Sequence, residues 1–488
     1  MKGRIEGGEV LDMEEMDYGH KWWVLAAVTI SLFLGAVDAS IVNIALPTLV
    51  REFRTTFPTI QWVVLSFLLV TTTLLLSLGR LGDMVGKKRI FTAGLVFFTL
   101  ASALCGTAPT VYALIGFRVL QAVGAAMVVA LGIAIVTETW PATERGMAIG
   151  VAGGTISLGI VVGPSLGGLL ISAFGWRAIF FVNLPLGVVA ILMVLRYVPD
   201  LRPRQTAETF DYLGAAVIGA ALLALSLALT VGQNLGFTDP RILVLFATAL
   251  VAGIAFVLVE QRARHPMIDL SLLRIPQFGL NLLTGFLTFV AIAGVVFLLP
   301  FYLELVLELP TVRIGLLMAI VPGVLAALGP VSGSLSDRLG TRPVGLVGLA
   351  FIIVGYVSAS TLTAETTPIG FVLRMLPVGI GMGVFQSPNN SAIMGSVPRP
   401  RLGVASGTLS MTRTLGQTAG VGVLGALFAS RIDDYAGANV DITAAPATAL
   451  VSALQDQFRT VAALIVLGLV VAVFAWHRER RPAYPPGL

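Results

Sequence analysis

Gly79-Arg80-Leu81-Gly82-Asp83-Met84-Val85-Gly86-Lys87-Lys88 returns about 254 residues later as Gly333-Ser334-Leu335-Ser336-Asp337-Arg338-Leu339-Gly340-Thr341-Arg342. Both copies read G-x-L-x-D-x-x-G-x-[KR], and each follows a long apolar run. A second pair obeys the same offset approximately: Arg118 with Gly124 in one run, Arg374 with Gly379 and Gly381 in another. The chain therefore duplicates itself, and whatever the first half builds, the second half builds again.

Working outward, what repeats is a set of membrane spans. Of 488 residues, 56% are hydrophobic and 12% charged, about half the charge of an ordinary soluble domain. Apolar runs of about 18 or more residues recur throughout, each long enough to cross a bilayer as a helix. Fourteen are expected, near 22–46, 60–80, 90–108, 111–138, 147–173, 178–198, 211–231, 241–259, 277–303, 313–335, 344–362, 368–396, 404–430 and 459–476. With the first residue inside, cytoplasmic segments hold about 21 of the 31 Lys and Arg and external ones about 7, the positive-inside asymmetry. Both termini are then cytoplasmic. The expected organisation is an all-α integral membrane protein of two pseudo-symmetric six-helix bundles plus two extra helices. Residues 1–21 form a cytoplasmic tail, 22–198 the first bundle, 199–276 a linker with the extra spans, 277–477 the second bundle and 478–488 a second tail. The acidic leader from Glu6 to Asp17 does not suit a cleavable signal.

Several functions are excluded. The basic residues are scattered among short loops, so no nucleic-acid partner is expected. No G-x-x-x-x-G-K-[ST] sequence occurs, His20, His265 and His477 do not cluster, and Cys105 is alone. No cofactor and no metal are expected. A receptor would not need the two-fold repeat, and an enzyme would need an intramembrane catalytic cluster. Duplicated bundles are how many secondary transporters build a central site open alternately to each side.

Individual residues sharpen this. Asp38, within Leu34-Gly35-Ala36-Val37-Asp38-Ala39-Ser40, places a carboxylate in the bilayer interior, at a cost of at least ~2.5 kcal/mol on insertion scales. It is either a structural salt bridge or a proton or cation site. Loss of water disfavours the charged form of any carboxylate, whereas a facing guanidinium favours it. Arg118, within Arg118-Val119-Leu120-Gln121, lies at a similar depth, roughly 10–12 Å from the external end at 1.5 Å per residue. Separating such a pair releases or admits a proton, so Asp38 and Arg118 are the expected proton-coupling residues. Arg118 tying helix backbones together is the plainer alternative. Between spans two and three, Gly79 and Gly86 permit a tight turn, with Asp83, Lys88 and Arg89 available for pairing; Asp337 repeats the acid. In span five, Gly163, Pro164, Gly167 and Gly168 combine a bend with close helix approach. All of these are expected to take part in the conformational switch. Expected cavity-lining groups are Asn43, Gln121, Gln386, Asn389, Asn390, Arg413 and Gln417; plain interhelical hydrogen bonding is the alternative. Glu304 and Glu308 are expected as solvated rim residues, and residues 447–458 as a short external helix.

These segments resemble the major facilitator superfamily, specifically its fourteen-helix drug:proton antiporter branch. The likeness runs from Trp22 to Trp476 and adds a further signature, Gly175-Trp176-Arg177-Ala178-Ile179-Phe180-Phe181-Val182-Asn183-Leu184-Pro185, similar to the W-R-x-x-F-x-x-N-x-P segment of that branch. The resemblance implies that Arg118 serves proton coupling, that the G-x-x-x-G-P-x-x-G-G segment at Gly159–Gly168 marks an exporter, and that Trp176 to Pro185 is a structural marker. It implies a proton-coupled antiporter exporting small hydrophobic or cationic compounds, multi-pass in the cell's inner (plasma) membrane and monomeric. Its partners are small-molecule substrates, protons and the lipid bilayer. The alternative is an exporter dedicated to one endogenous metabolite, amino acid or lipid.

Overall fold

Lipid cannot satisfy a free backbone N–H or C=O, so apolar runs of this length have only the helix open to them within a single segment. The computed structural model describes residues 20–141, 144–200, 212–262, 270–398, 401–436, 440 and 442–480, and among these every regular element is helical. Most of both tails, the loops holding Arg202 and Arg264, and His265 lie outside the described residues.

The first half comprises α1 (Lys21–Phe53), α2 (Phe57–Val85), α3 (Lys87–Gly106), α4 (Val111–Thr139), α5 (Arg145–Phe174) and the short α6 (Ala178–Phe181) leading into α7 (Asn183–Tyr197). Two helices follow, α8 (Tyr212–Leu235) and α9 (Pro240–Arg262). The second half has α10 (Leu270–Leu273), α11 (Pro276–Phe301) with a π-helical turn Tyr302–Val306, α12 (Thr311–Met318), α13 (Ile320–Leu339), α14 (Thr341–Ala359) and α15 (Pro368–Gly395). It ends with α16 (Leu402–Ala419), a π-helical turn Gly420–Leu424, α17 (Gly425–Ala436) and α18 (Ala447–Arg480). Thirteen helices among the described residues are long and apolar enough to cross a membrane. The expected span at 404–430 falls on the unbroken run from α16 to α17, and the polarity of α16 keeps it out of that thirteen.

Three boundaries differ from expectation. Helix α1 does not stop before Pro47 but continues to Phe53; in membrane helices neighbours re-satisfy the freed backbone groups. Residues 447–458 are not a separate external helix but the first turns of α18. The segment 79–89 is almost entirely helical: α2 runs to Val85, α3 starts at Lys87, and Gly86 alone makes the turn at φ +112°. Gly340 does the same between α13 and α14 at φ +89°. Both angles lie where L side chains are strained, which explains why the repeated motif carries glycine there.

The second repeat is equally physical. A Cβ on Gly124 would stand 2.5 Å from the Phe98 backbone nitrogen, pressing α4 on α3; one on Gly381 would stand 2.5 Å from the Ile352 nitrogen, pressing α15 on α14. Small residues of this kind let backbones approach where no hydrophobic drive separates helix from lipid.

The halves meet along two seams. At one, α2 packs on α16 and α8 covers the joint: Trp62 donates to Thr230 at 3.1 Å, Gln233 donates to Gln61 at 3.0 Å, and Leu69, Ile218, Leu222 and Met411 share an apolar cluster. At the other, α5 packs on α12 and α13. The end bearing the 53–57 turn, external in the expected topology, has one apolar core drawn from both halves, where Phe57 meets Phe297, Phe301 and Phe428. The opposite end has separate cores, one of α1, α3, α4, α5 and α7 residues and one of α10, α11, α15 and α16 residues. The molecule is joined at the first end and divided at the second.

Candidate functional site

Asp38 is fully buried on α1, and two helices bring three donors to it. One carboxylate oxygen accepts from the Arg118 guanidinium of α4 at 2.6 Å; the other accepts from Gln121 of α4 and Asn183 of α7, each at 2.8 Å. Arg118 also donates to Gln121 Oε1 at 2.6 Å and to the Val63 carbonyl of α2 at 3.2 Å, and its guanidinium lies 4.1 Å from the Phe67 ring centroid. Ser102 of α3 accepts from Gln121 at 2.8 Å. Five helices thus close around one ion pair, which is 0% exposed on Asp38 and 2% on Arg118. In so dry a place the pair persists only because its remaining hydrogen-bonding capacity is filled.

Sequence reasoning missed part of this cluster. Ser102 carried no signal beyond a hydroxyl in a span, and Asn183 belonged to a segment read as a structural marker. Gln121 was expected on a cavity wall and is instead sealed inside the cluster. Trp176, which opens the same segment as Asn183, is buried at 3% against Phe53 and Phe180, with Arg177 over its ring. Among the described residues the second-half repeat of the arginine builds no second ion pair: Arg374 turns to Thr361 and the Gly370 carbonyl at the end of its helix.

The glycines of span five have two targets. Gly159, Gly163 and Gly167 seat α1, where a Cβ on Gly159 would meet Ala36 and one on Gly167 would stand 2.6 Å from Ile41. Gly168 faces the other half of the molecule, and a Cβ there would stand 2.5 Å from the Thr311 carbonyl of α12. Gly315 of α12 returns the contact onto the Pro164 carbonyl, and α5 is continuous through Pro164. Nearby, Arg51 of α1 pairs with Glu304 across the same end. Glu304 is therefore no solvated rim residue, whereas Glu308 is exposed.

At the divided end, Lys87 pairs with Glu138 at 2.8 Å, while Lys88 and Arg89 edge a surface groove with Asp200. Gly79 sits inside α2, Asp337 is exposed near the end of α13, and the Asp83 side chain lies outside the described residues.

The remaining expected residues form a different kind of wall. Gln386 and Asn390 on α15, and Arg413 and Gln417 on α16, are half-buried, and none makes a hydrogen bond to the described protein. Polar heads left open in this way need water or a ligand. Asn43 has only a long contact to the Ala39 carbonyl, and Asn389 is buried beside Gly285. Three acids of these helices are paired: Asp38 with Arg118, Glu304 with Arg51 and Glu138 with Lys87, while Glu52 and Asp337 are exposed near helix ends. Among the described residues no cluster of His, Cys, Asp and Glu is arranged to hold a metal ion.

The family model described as Major Facilitator Superfamily matches residues 28–421. The chain is 32% identical over 454 residues to the riboflavin transporter RibZ of Clostridioides difficile, covering 93% of this chain and 97% of that protein. It is 35% identical over 408 residues to the multidrug resistance protein Stp of Mycobacterium tuberculosis, 83% of this chain and 75% of the relative. The tetracenomycin C resistance and export protein of Streptomyces glaucescens is 31% identical over 421 residues, with 85% and 77% covered. Among solved structures, a bacterial homologue of the human lysosomal transporter Spinster, inward-facing and occupied, superposes with a TM-score of 0.68 over 96% of this chain and 99% of that one. At 16% identity, what the two share is the fold.

Proposed function

Because the chain belongs to the major facilitator superfamily, and so transports rather than catalyses, we propose that it is a proton-driven exporter of small hydrophobic compounds. The observation that carries this reading is the sealed Asp38–Arg118 pair. A carboxylate held by a guanidinium and two amides has little use for a proton; pulled away from them in a dry site, it takes one. Any rearrangement that moves α1 against α4 therefore exchanges a proton at Asp38, and α1 is the helix that α5 grips through three glycines.

The switch is a rocking of residues 22–198 against 277–477, with 199–276 riding on the seam between α2 and α16. Arg51–Glu304, Gly168 against Thr311 and the aromatic cluster at Phe57 close one end in the present state. In the proposed topology the run from α16 to α17 is the fourteenth span, both termini are cytoplasmic, and the closed end is external in the plasma membrane, so the present state faces inward. The protein works as a monomer. Cations, the other expected substrate class, find no unpaired carboxylate in the described interior.

Kinship with antibiotic exporters favours several substrates, as the names of Stp and the tetracenomycin exporter say of those proteins. Kinship with a riboflavin transporter over nearly its whole length favours a single one. Uptake into everted vesicles separates the readings. Under a pH gradient acid inside, a panel of unrelated neutral and charged dyes should accumulate, and dissipating the gradient should stop it. Accumulation untouched by dissipation would refute proton drive; accumulation of one compound class alone would favour the dedicated exporter.

A further inference from the structure

We infer that the polar face of α16 is a binding site for a planar aromatic anion, with Arg413, backed by the buried Phe289 ring, holding its charge and stacking on its ring. Helix α16 is two-faced. Met411 and Leu415 pack towards α2 and α8, and Gly416 packs on Phe289 of α11. The remaining face presents Ser406, Ser410, Arg413, Thr414 and Gln417 at helical spacing, Ser406 exposed and the others half-buried. Turned to lipid, such a stripe would be expensive; turned to a hydrated cleft, it is satisfied.

Arg413 stands in the middle of that stripe. Among the described residues no carboxylate pairs with it, no protein acceptor receives its guanidinium, and its one close partner is the Phe289 ring at 5.1 Å. Arg118 supplies the comparison within the same molecule. It too lies over a phenylalanine ring, but with Asp38 and further acceptors completing its shell. Arg413 has the ring and lacks the anion. A guanidinium presents a planar fork that suits a carboxylate or acidic phenol, and its plane, backed by Phe289, suits an aromatic body. Gln417, one turn on, offers an amide to the same ligand. A cation at this place meets a fixed positive charge instead.

This inference takes the α15–α16 wall as part of the substrate cleft and so rests on the proposed transport function. The test uses the full-length protein in nanodiscs and three probes of one shape, 1-naphthoate, 1-naphthamide and 1-naphthylmethylammonium. Calorimetry should show naphthoate binding about tenfold or more tightly than the amide, and the ammonium weakest. R413Q should bring naphthoate to the level of the amide while leaving the amide within about twofold, and F289L should weaken both. A wild type without preference for naphthoate, including no saturable binding of it, overturns the inference, as does R413Q binding naphthoate as tightly as wild type. The wild-type series decides alone should R413Q not fold. Anion preference without pH-driven transport would remove the proton-driven reading and leave the site standing. Transport driven by pH without anion preference would do the reverse.

Discussion

Arg118 and Asp38 exchange a single direct bond, yet each also has partners on the surrounding helices, and that surplus decides what substitution does. Removing one charge strands the other: Arg118→Ala leaves a buried carboxylate with two amides only, and should cost about 3–5 kcal/mol, visible as a large fall in thermal midpoint in detergent. Replacing both charges, with Asp38→Asn and Arg118→Gln together, should recover much of that loss. Asn183→Leu removes one donor and should cost about 1–3 kcal/mol, with efflux falling because Asp38 is less firmly placed; unchanged efflux would return Asn183 to a packing role. Asp38 and Arg118 were legible in the sequence because a charge in an apolar run has to be explained. Ser102 and Asn183 were not, since small polar residues in spans usually bond within their own helix, as Thr99 does to Leu95. Glu304 was misread for a related reason: distance from a span's end says nothing about an arginine brought from 253 residues away.

At the scale of elements, glycine spacing was readable but its targets were not. The pattern at Gly159, Gly163, Gly167 and Gly168 announces close approach, while only the packed structure divides it between α1 and α12. The turn motif behaved similarly. Its repetition was plain, yet the extent of helix was underestimated, because charged residues that read as a loop instead continue α2 to Val85. The division of labour in α5 makes a directional prediction. Gly168→Ala pushes on the Thr311 backbone, which cannot yield as a flexible side chain can, and so should loosen the closed end without unfolding α5. In a Cys105→Ala background, a cysteine at Val295, buried in the joint core, should react several-fold faster with a thiol reagent in the Gly168→Ala protein. Equal rates would mean that α12 does not bear on closure through this contact. The span expected at 404–430 rests on the apolar residues around Val421 to Phe428, while the polar α16 before them keeps the run out of the thirteen helices apolar enough to cross.

For the whole molecule, the asymmetry between a joined end and a divided end is the main result, and its orientation is testable. A cysteine at exposed Glu365 should be labelled by an impermeant reagent from outside intact cells, and one at exposed Arg89 should not; the opposite pattern would invert the assignment of the present state. Glu304→Gln should weaken the closed end by removing its ion pair, again read at Val295. In the proposed mechanism, rocking drives uphill export only when it is tied to a proton, and the tie is at Asp38. Asp38→Asn keeps the size of the side chain and abolishes titration; because it also strands the Arg118 charge, its folding is checked by thermal midpoint beside the Asp38→Asn, Arg118→Gln pair. Uptake into everted vesicles driven by a pH difference alone should vanish in this variant, while exchange of substrate across a membrane without any gradient should survive. Accumulation of substrate by Asp38→Asn against its gradient, under a pH difference only, would contradict the account and place the coupling proton elsewhere.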